Sequence, residues 1–321
     1  VLAFVSRRLL YSIPVLFIAS FLLFGFVRAT FDPTARLRAS RDPAAVSRER
    51  TRLGLDKPLV VQYKDWGVKF VKGDWGESSR SRERVFPMMR RALWNTIQLI
   101  TWGILISAAL AITIGVFSAV RQYSVLDHVL TGASFVGLAM PPFWFGLIAI
   151  QFLAVYPQQW FHSANPPFFF VNLHSTGASG LADYARHLVL PVLTLTVQIV
   201  AAWSRYERAS MLDALSADYI RAARAKGVPS HLVVVKHAFR NALMPLITVM
   251  ALDIGALFGG LVITEQIFSV PGMGKLFIDS LVVGDANVLV VWVVITAAFV
   301  IAFNLLADVL YGILDPRVRL A

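Results

Sequence analysis

"DYIRAARAKGVPSHL", residues Asp218 to Leu232, interrupts two long apolar stretches with a run of charge, then a glycine, then a proline. Asp213 or Ser216 can cap a helix over Asp218–Lys226, with Arg224 and Lys226 in its last turn, where the macrodipole favours cations. Gly227 fits the left-handed position that closes such a helix, and Pro229 suits the first turn of the next, where its missing N–H costs nothing. The segment reads as a bent pair of helices. Ala222, Ala223 and Ala225 give the first helix a low-relief surface ringed by Arg221, Arg224 and Lys226. Two uses fit that surface: a knob that another protein's backbone approaches closely, or a basic loop lying on lipid headgroups.

The flanks decide the fold class. The chain has 321 residues, 57% hydrophobic, with a mean hydropathy of +0.66, too apolar for an ordinary soluble domain. Stretches long enough to cross a bilayer begin near Leu9, Thr96, Thr131, Leu188, Pro245 and Val288. They lack the period-2 alternation of barrel strands, and lipid leaves no partner for open backbone, so they must be helices. The expectation is an all-α integral membrane protein with about six transmembrane helices. Residues 1–30 form the first helix, 31–95 a large extracytoplasmic insertion, and 96–321 a five-helix core that includes the charged loop 206–244. Ser6-Arg7-Arg8 before the first apolar run resembles a secretory or twin-arginine signal, but the run reaches about Val27 and further spans follow. A first span with Arg7 and Arg8 held inside is the better reading.

A formal charge of +11 is a property of the loops here, so membrane topology explains it and nucleic-acid binding is not expected. There is no cysteine, which removes disulfides and thiolate metal sites. Among the short loops, Arg121 and His128 face Asp127 in the second. The fourth carries Arg205, Arg208, Arg221, Arg224, Lys226, Lys236 and Arg240 against Glu207, Asp213 and Asp218. The fifth, with Glu265, Asp279 and Asp285 against Lys275, is acidic, and Arg317 and Arg319 close the chain. The positive-inside rule then puts both termini and Gly227 in the cytoplasm.

The pattern Arg221-Ala222-Ala223-x-x-x-Gly227 resembles the EAA loop of ABC-importer permeases, and "DYIRAARAKG" resembles its dipeptide/oligopeptide branch in particular. Arg221 stands where the general pattern has glutamate, and Pro245 lies farther from Gly227 than the general closing Leu-Pro. "RRLLYSIPVLFIASFLLF", "LGLDKPLVVQY", "GDWGES", "PPFWFGL", "RHLVLPVLTL", "KHAFRNALMPLIT", "TEQIFSVPGMGKLF" and "LLADVLYGILDPRVR" follow in the order expected of that subunit, so the resemblance covers nearly the whole chain.

What the resemblance implies is a type I importer permease fold in a bacterial inner membrane. Its expected partners are a second homologous permease, two cytoplasmic ABC ATPase domains or subunits, and an extracytoplasmic substrate-binding protein. ATP and Mg would sit on the ATPases, with no cofactor in this chain. Tyr219, Arg221, Ala222, Ala223, Arg224, Lys226 and Gly227 would form the ATPase-coupling element. The outer segments Tyr63–Ser79 and Pro166–Tyr184, Phe169 and His174 above all, are candidates to touch the binding protein. The same machine carrying nickel, glutathione or haem is the alternative within the family, and a self-sufficient secondary transporter or channel the alternative outside it.

Other features have plainer readings. "PGMGK" at 271–275 invites a phosphate-loop reading, yet Ser269 stands where an earlier glycine is needed and Leu276 where a Ser or Thr should follow the lysine. The histidines, His128, His162, His174, His187, His231 and His237, lack metal-ligand spacing and read as surface or interfacial residues. Gly255-x-x-x-Gly259 permits close helix packing. Pro14, Pro141, Pro142 and Pro191 can kink helices, and "AMPPFWF" can break one. Asp253, an acid well inside an apolar span, must look into the bundle. Either it is hydrogen-bonded to another helix, or it lines the pathway as a weak site for a peptide's amino end.

Overall fold

The computed structural model describes residues 2–31, 34, 43–52, 54–177 and 180–314. Within them the chain is helical, with one isolated antiparallel bridge, Glu77 to Arg84. The helices are α1 (Leu2–Thr30), α2 (Pro43–Arg52), α3 (Leu59–Val71), α4 (Val85–Val120), α5 (Val125–Ala139), α6 (Pro142–Trp160), α7 (Leu181–Ser216), α8 (Asp218–Ala225), α9 (230–260), α10 (Val262–Ile267), α11 (Met273–Val283) and α12 (Ala286–Leu314). Five of them, α1, α4, α7, α9 and α12, are long and apolar enough to cross a membrane. The expected sixth span falls on α5 and α6, an apolar pair bent by 102° at Met140-Pro141-Pro142, the shape of a broken span or a re-entrant loop. Proline restricts the residue before it and cannot donate to the helical ladder, so two in succession end one helix and start another. Inside α6 the turn Gln151–Val155 widens to a π-helix just before Pro157, whose ring crowds the preceding turn.

The spine is the pair α4 and α7, 36 residues each. At 1.5 Å per residue each is about 54 Å long, well beyond a hydrocarbon core of about 30 Å, so both extend past the membrane. Their close approach depends on Gly115: a Cβ there would lie 2.6 Å from Glu207 Cβ and 2.9 Å from the Ser204 carbonyl oxygen. Neither atom belongs to a free side-chain end that could swing away. Gly115→Ala is therefore expected to push α4 off α7 and cost about 1–3 kcal/mol, seen as a lowered thermal midpoint of the purified protein. Gly255 serves α9 against α12 in the same way, 2.9 Å from Phe303 Cβ. Gly259 lies outside the residues whose packing is described.

The segment expected as an insertion over 31–95 is shorter and less detached than its sequence suggests. Its last residues, from Val85, already belong to α4. Its aromatic residues face inward: Tyr63 meets Phe17, Phe21 and Phe24 of α1 edge-on, and a ring series continues through Trp66, Phe70, Trp75 and Phe86. Tyr63 Oη also lies 2.7 Å from Ser20 Oγ. The segment thus covers one side of α1, which elsewhere exposes Leu10, Ile13, Leu22 and Phe26, as lipid contact requires. Arg317 and Arg319 lie outside the described residues.

Candidate functional site

The charged stretch forms the bend expected of it, with local differences. Neither Asp213 nor Ser216 caps α8. Ala217, in extended conformation, takes that position without a side-chain cap, because Ser216 Oγ donates back to the Asp213 carbonyl instead. Asp218 in the first turn pairs with Arg221. The C-terminus closes as a Schellman motif. Gly227, at φ +77°, donates to the Arg224 carbonyl at 3.0 Å, and Val228 N–H reaches the Ala223 carbonyl at 3.2 Å. Pro229 stands at the N-cap of α9, one residue earlier than expected. A π-turn over Val233–Ala238 then leads straight into the span.

One face of α8 is welded to the bundle. Ile220 and Ala223 are buried with Ala119 of α4, Met211 and Ala214 of α7, and Val233, Ala238 and Ala242 of α9. Ala223, read from sequence as part of the low-relief outer surface, therefore points inward. Tyr219, Arg221, Ala222, Arg224, Ala225, Lys226 and Gly227 are exposed. The smooth outward patch is made by Ala222 and Ala225.

Beside this weld lies an ion pair that sequence reasoning placed in two separate loops. Asp127, 3% exposed, accepts from Arg208 Nε and Nη2, both at 2.8 Å, from Tyr123 N–H at 2.9 Å and from Ser118 Oγ. The bidentate fork is the strong geometry for a guanidinium and a carboxylate. It ties the end of α4, the start of α5 and the middle of α7 together. Arg205, Glu207 and Arg208 are thus helix residues rather than loop residues, and Glu207 is fully buried.

At the opposite end, the glycines of "PGMGK" wrap one of the chain's own acids. The Glu265 carboxylate accepts from Thr96 Oγ1 at 2.6 Å and from Lys275 N–H at 3.0 Å at the start of α11, and a Cβ on Gly272 would fall 2.2 Å from Oε1. An anion-binding helix start is there, filled from within. Burial pushes the Glu265 carboxyl up to about 7, against the pull of these hydrogen bonds. Nearby, Phe169 packs on the His187 ring and beneath the Arg186 guanidinium, and Asn172 N–H donates to the Phe268 carbonyl at 3.0 Å. His174, half-exposed, stacks on Tyr184. His187 is 3% exposed, a core residue held by the Asp183 carbonyl rather than a surface one.

Asp253 in α9 lies far from α8. Its Oδ2 accepts from Nε1 of Trp203, a fully buried indole of α7, at 2.7 Å. The acid does face a neighbouring helix, as its depth demanded.

Residues 111–320 match the family described as "Binding-protein-dependent transport system inner membrane component", and residues 1–99 match its N-terminal region. The chain belongs to this family. The oligopeptide transport system permease protein AppB of Bacillus subtilis is 39% identical over 326 residues, covering 99% of both chains. The di/tripeptide transport system permease protein DppB of Pseudomonas aeruginosa is 36% identical over 333 residues, and the glutathione transport system permease protein GsiC of Escherichia coli 35% over 324, each with the same coverage. A MetNI methionine ABC transporter structure aligns with a TM-score of 0.55 at 16% identity, over 71% of this chain and 96% of that one. It supports the type I importer fold alone. The chain is an ABC permease subunit, an all-helical multi-pass membrane protein.

Proposed function

We propose that this permease imports di- and oligopeptides as half of a translocation pathway whose other half is a second, homologous permease. The observation that carries the coupling role is the inward weld of α8. A helix fixed to α4, α7 and α9 by Ile220 and Ala223 cannot move without moving the spans. On its outward side, Ala222 and Ala225 let another backbone come close while Arg221, Arg224 and Lys226 surround the contact. Cytoplasmic ATPase domains, which hold ATP and Mg, would dock there and pull on the spans as they close. The substrate-binding protein would sit over the opposite end, where Phe169 and Ser175 are held to α7 and Asn172 to the end of α10. Both termini and Gly227 then lie in the cytoplasm. The names of the peptide permeases matched above support the cargo class. The glutathione permease matches almost as well, which makes a short peptide-like cargo the common denominator.

Copurification tests the machine: ATPase subunits, a second permease and a binding protein should accompany the tagged chain, and mass spectrometry of the binding protein's ligand should return short peptides. The absence of cysteine makes labelling clean for the orientation. Impermeant maleimide should reach Ser81→Cys and not Ser216→Cys in intact cells; the reverse pattern would invert the proposal.

A further inference from the structure

Asp253 carries an acidic charge at a depth where lipid tolerates none, and its surroundings show how it is presented. Its partner Trp203 is packed with Ala111 of α4 and Leu246 of α9. Ala111 stands inside the apolar run Thr96–Val120, and Trp203 directly precedes Ser204-Arg205, which puts the indole and the carboxylate within the membrane on the side toward α8. A carboxylate there is costly to insert unless it meets water or a cation.

The indole N–H satisfies one oxygen and fixes the rotamer. The other, Oδ1, has no protein partner among the described residues, and Asp253 is only partly buried in this single chain. Ala256, one turn further along the same side, is exposed, and Leu252 beside the acid is exposed too, while Met250 and Leu257 on the acid's own face are half-buried. A half-satisfied, partly exposed carboxylate is excluded from lipid by its cost, and the exposed Ala256 next to it leaves that side open to a water-filled pathway. Metal chemistry does not fit, because no group of three His, Asp or Glu gathers among the described residues.

We propose that Asp253, oriented by Trp203, is a recognition point within the membrane for a primary ammonium, the free amino end of a peptide in transit. This rests on the peptide reading above. One open carboxylate oxygen in a wet pathway binds weakly, which suits cargo that must leave. The indole supplies orientation, so the acid points its open oxygen at the pathway without first paying rotamer entropy.

The test uses the complete reconstituted transporter with its binding protein and trialanine as the probe. Asp253→Asn keeps an acceptor for the Trp203 indole and removes the charge. Trialanine transport is expected to fall about tenfold while thermal stability and basal ATP turnover stay unchanged. A second measurement needs no variant. Carbodiimide added during turnover should join Asp253 to the trialanine amino group, a peptide–protein adduct readable by mass spectrometry. N-acetyl-trialanine should give none.

Unchanged trialanine transport in Asp253→Asn, no adduct in the native complex, or an adduct joining Asp253 to a lysine of the second permease would each overturn the assignment. If native transporter moves no peptide at all, the cargo reading fails and the assignment falls with it, whereas native transport without an adduct overturns the assignment alone.

Discussion

Asp127→Ala is expected to cost the purified protein about 3 kcal/mol of stability, the low end for breaking a buried pair, since the Arg208 side chain keeps 25% of its surface exposed. The loss is more than one contact. Arg208 is left as an uncompensated charge inside α7, and Ser118 Oγ loses the acceptor that holds the end of α4. The paired change Asp127→Leu with Arg208→Met should recover much of that stability, because removing both charges removes the burial cost together with the attraction. Thermal midpoints of the detergent-purified variants check this. A single variant as stable as native protein, or a double variant worse than the single, would show that the pair does not clamp the helices. Transport should separate from stability: the double variant, stable but without a fork joining α4, α5 and α7 beside the α8 weld, is expected to transmit ATPase movement less efficiently.

That clamp also marks where sequence reading stops. Apolar periodicity and length are local, so the spans could be placed, and the break at Met140-Pro141-Pro142 follows from proline chemistry alone. The Schellman closure at Gly227 was equally local, a glycine just beyond a helix that ends in cations. Asp127 and Arg208, however, are 81 residues apart and each reads as one more loop charge. Glu265 inside the glycine turn is a similar case. The spacing of "PGMGK" argued against a phosphate, but nothing in it named the carboxylate that fills the site. The segment Tyr63–Ser79 reads as an outer contact surface because aromatics in a long polar segment suit one. Instead, hydrophobic burial against α1 and the neighbouring elements claims them. For the candidate site, the bend over residues 218–232 and the inward-facing Asp253 are legible from residue type and position, while the coupling role is what the family resemblance implies. The indole that orients Asp253 is not legible, since a tryptophan in a span has many uses.

The inward turn of Ala223 leads to the prediction with the sharpest contrast. In an eight-residue helix rich in alanine, no large side chain tells the buried face from the exposed one, and only Ile220 at i and Ala223 at i+3 reveal which side is packed. Ala223→Glu would force a carboxylate into the apolar cluster of Met211, Ile220, Val233 and Ala238. That variant should fail as a folded protein, losing thermal stability and yield, and says nothing of docking. Ala222→Glu places the same side chain on the exposed face, where the intrinsic helix cost is a few tenths of a kcal/mol. It should insert, fold and keep its thermal midpoint. If ATPase domains dock on this patch, the bulk and charge of Ala222→Glu hold the two backbones apart, and an interface that loses its closest contact is expected to lose ATPase copurification and transport by tenfold or more. Gly227→Val gives a third, intermediate result. A β-branched residue is strained at φ +77°, so the Schellman closure loosens and the angle between α8 and α9 is lost, while the docking patch itself stays intact. ATPase subunits should still bind that variant but turn over ATP without moving peptide. Normal transport by Ala222→Glu would remove the docking face from α8 altogether, whatever the fate of the other two.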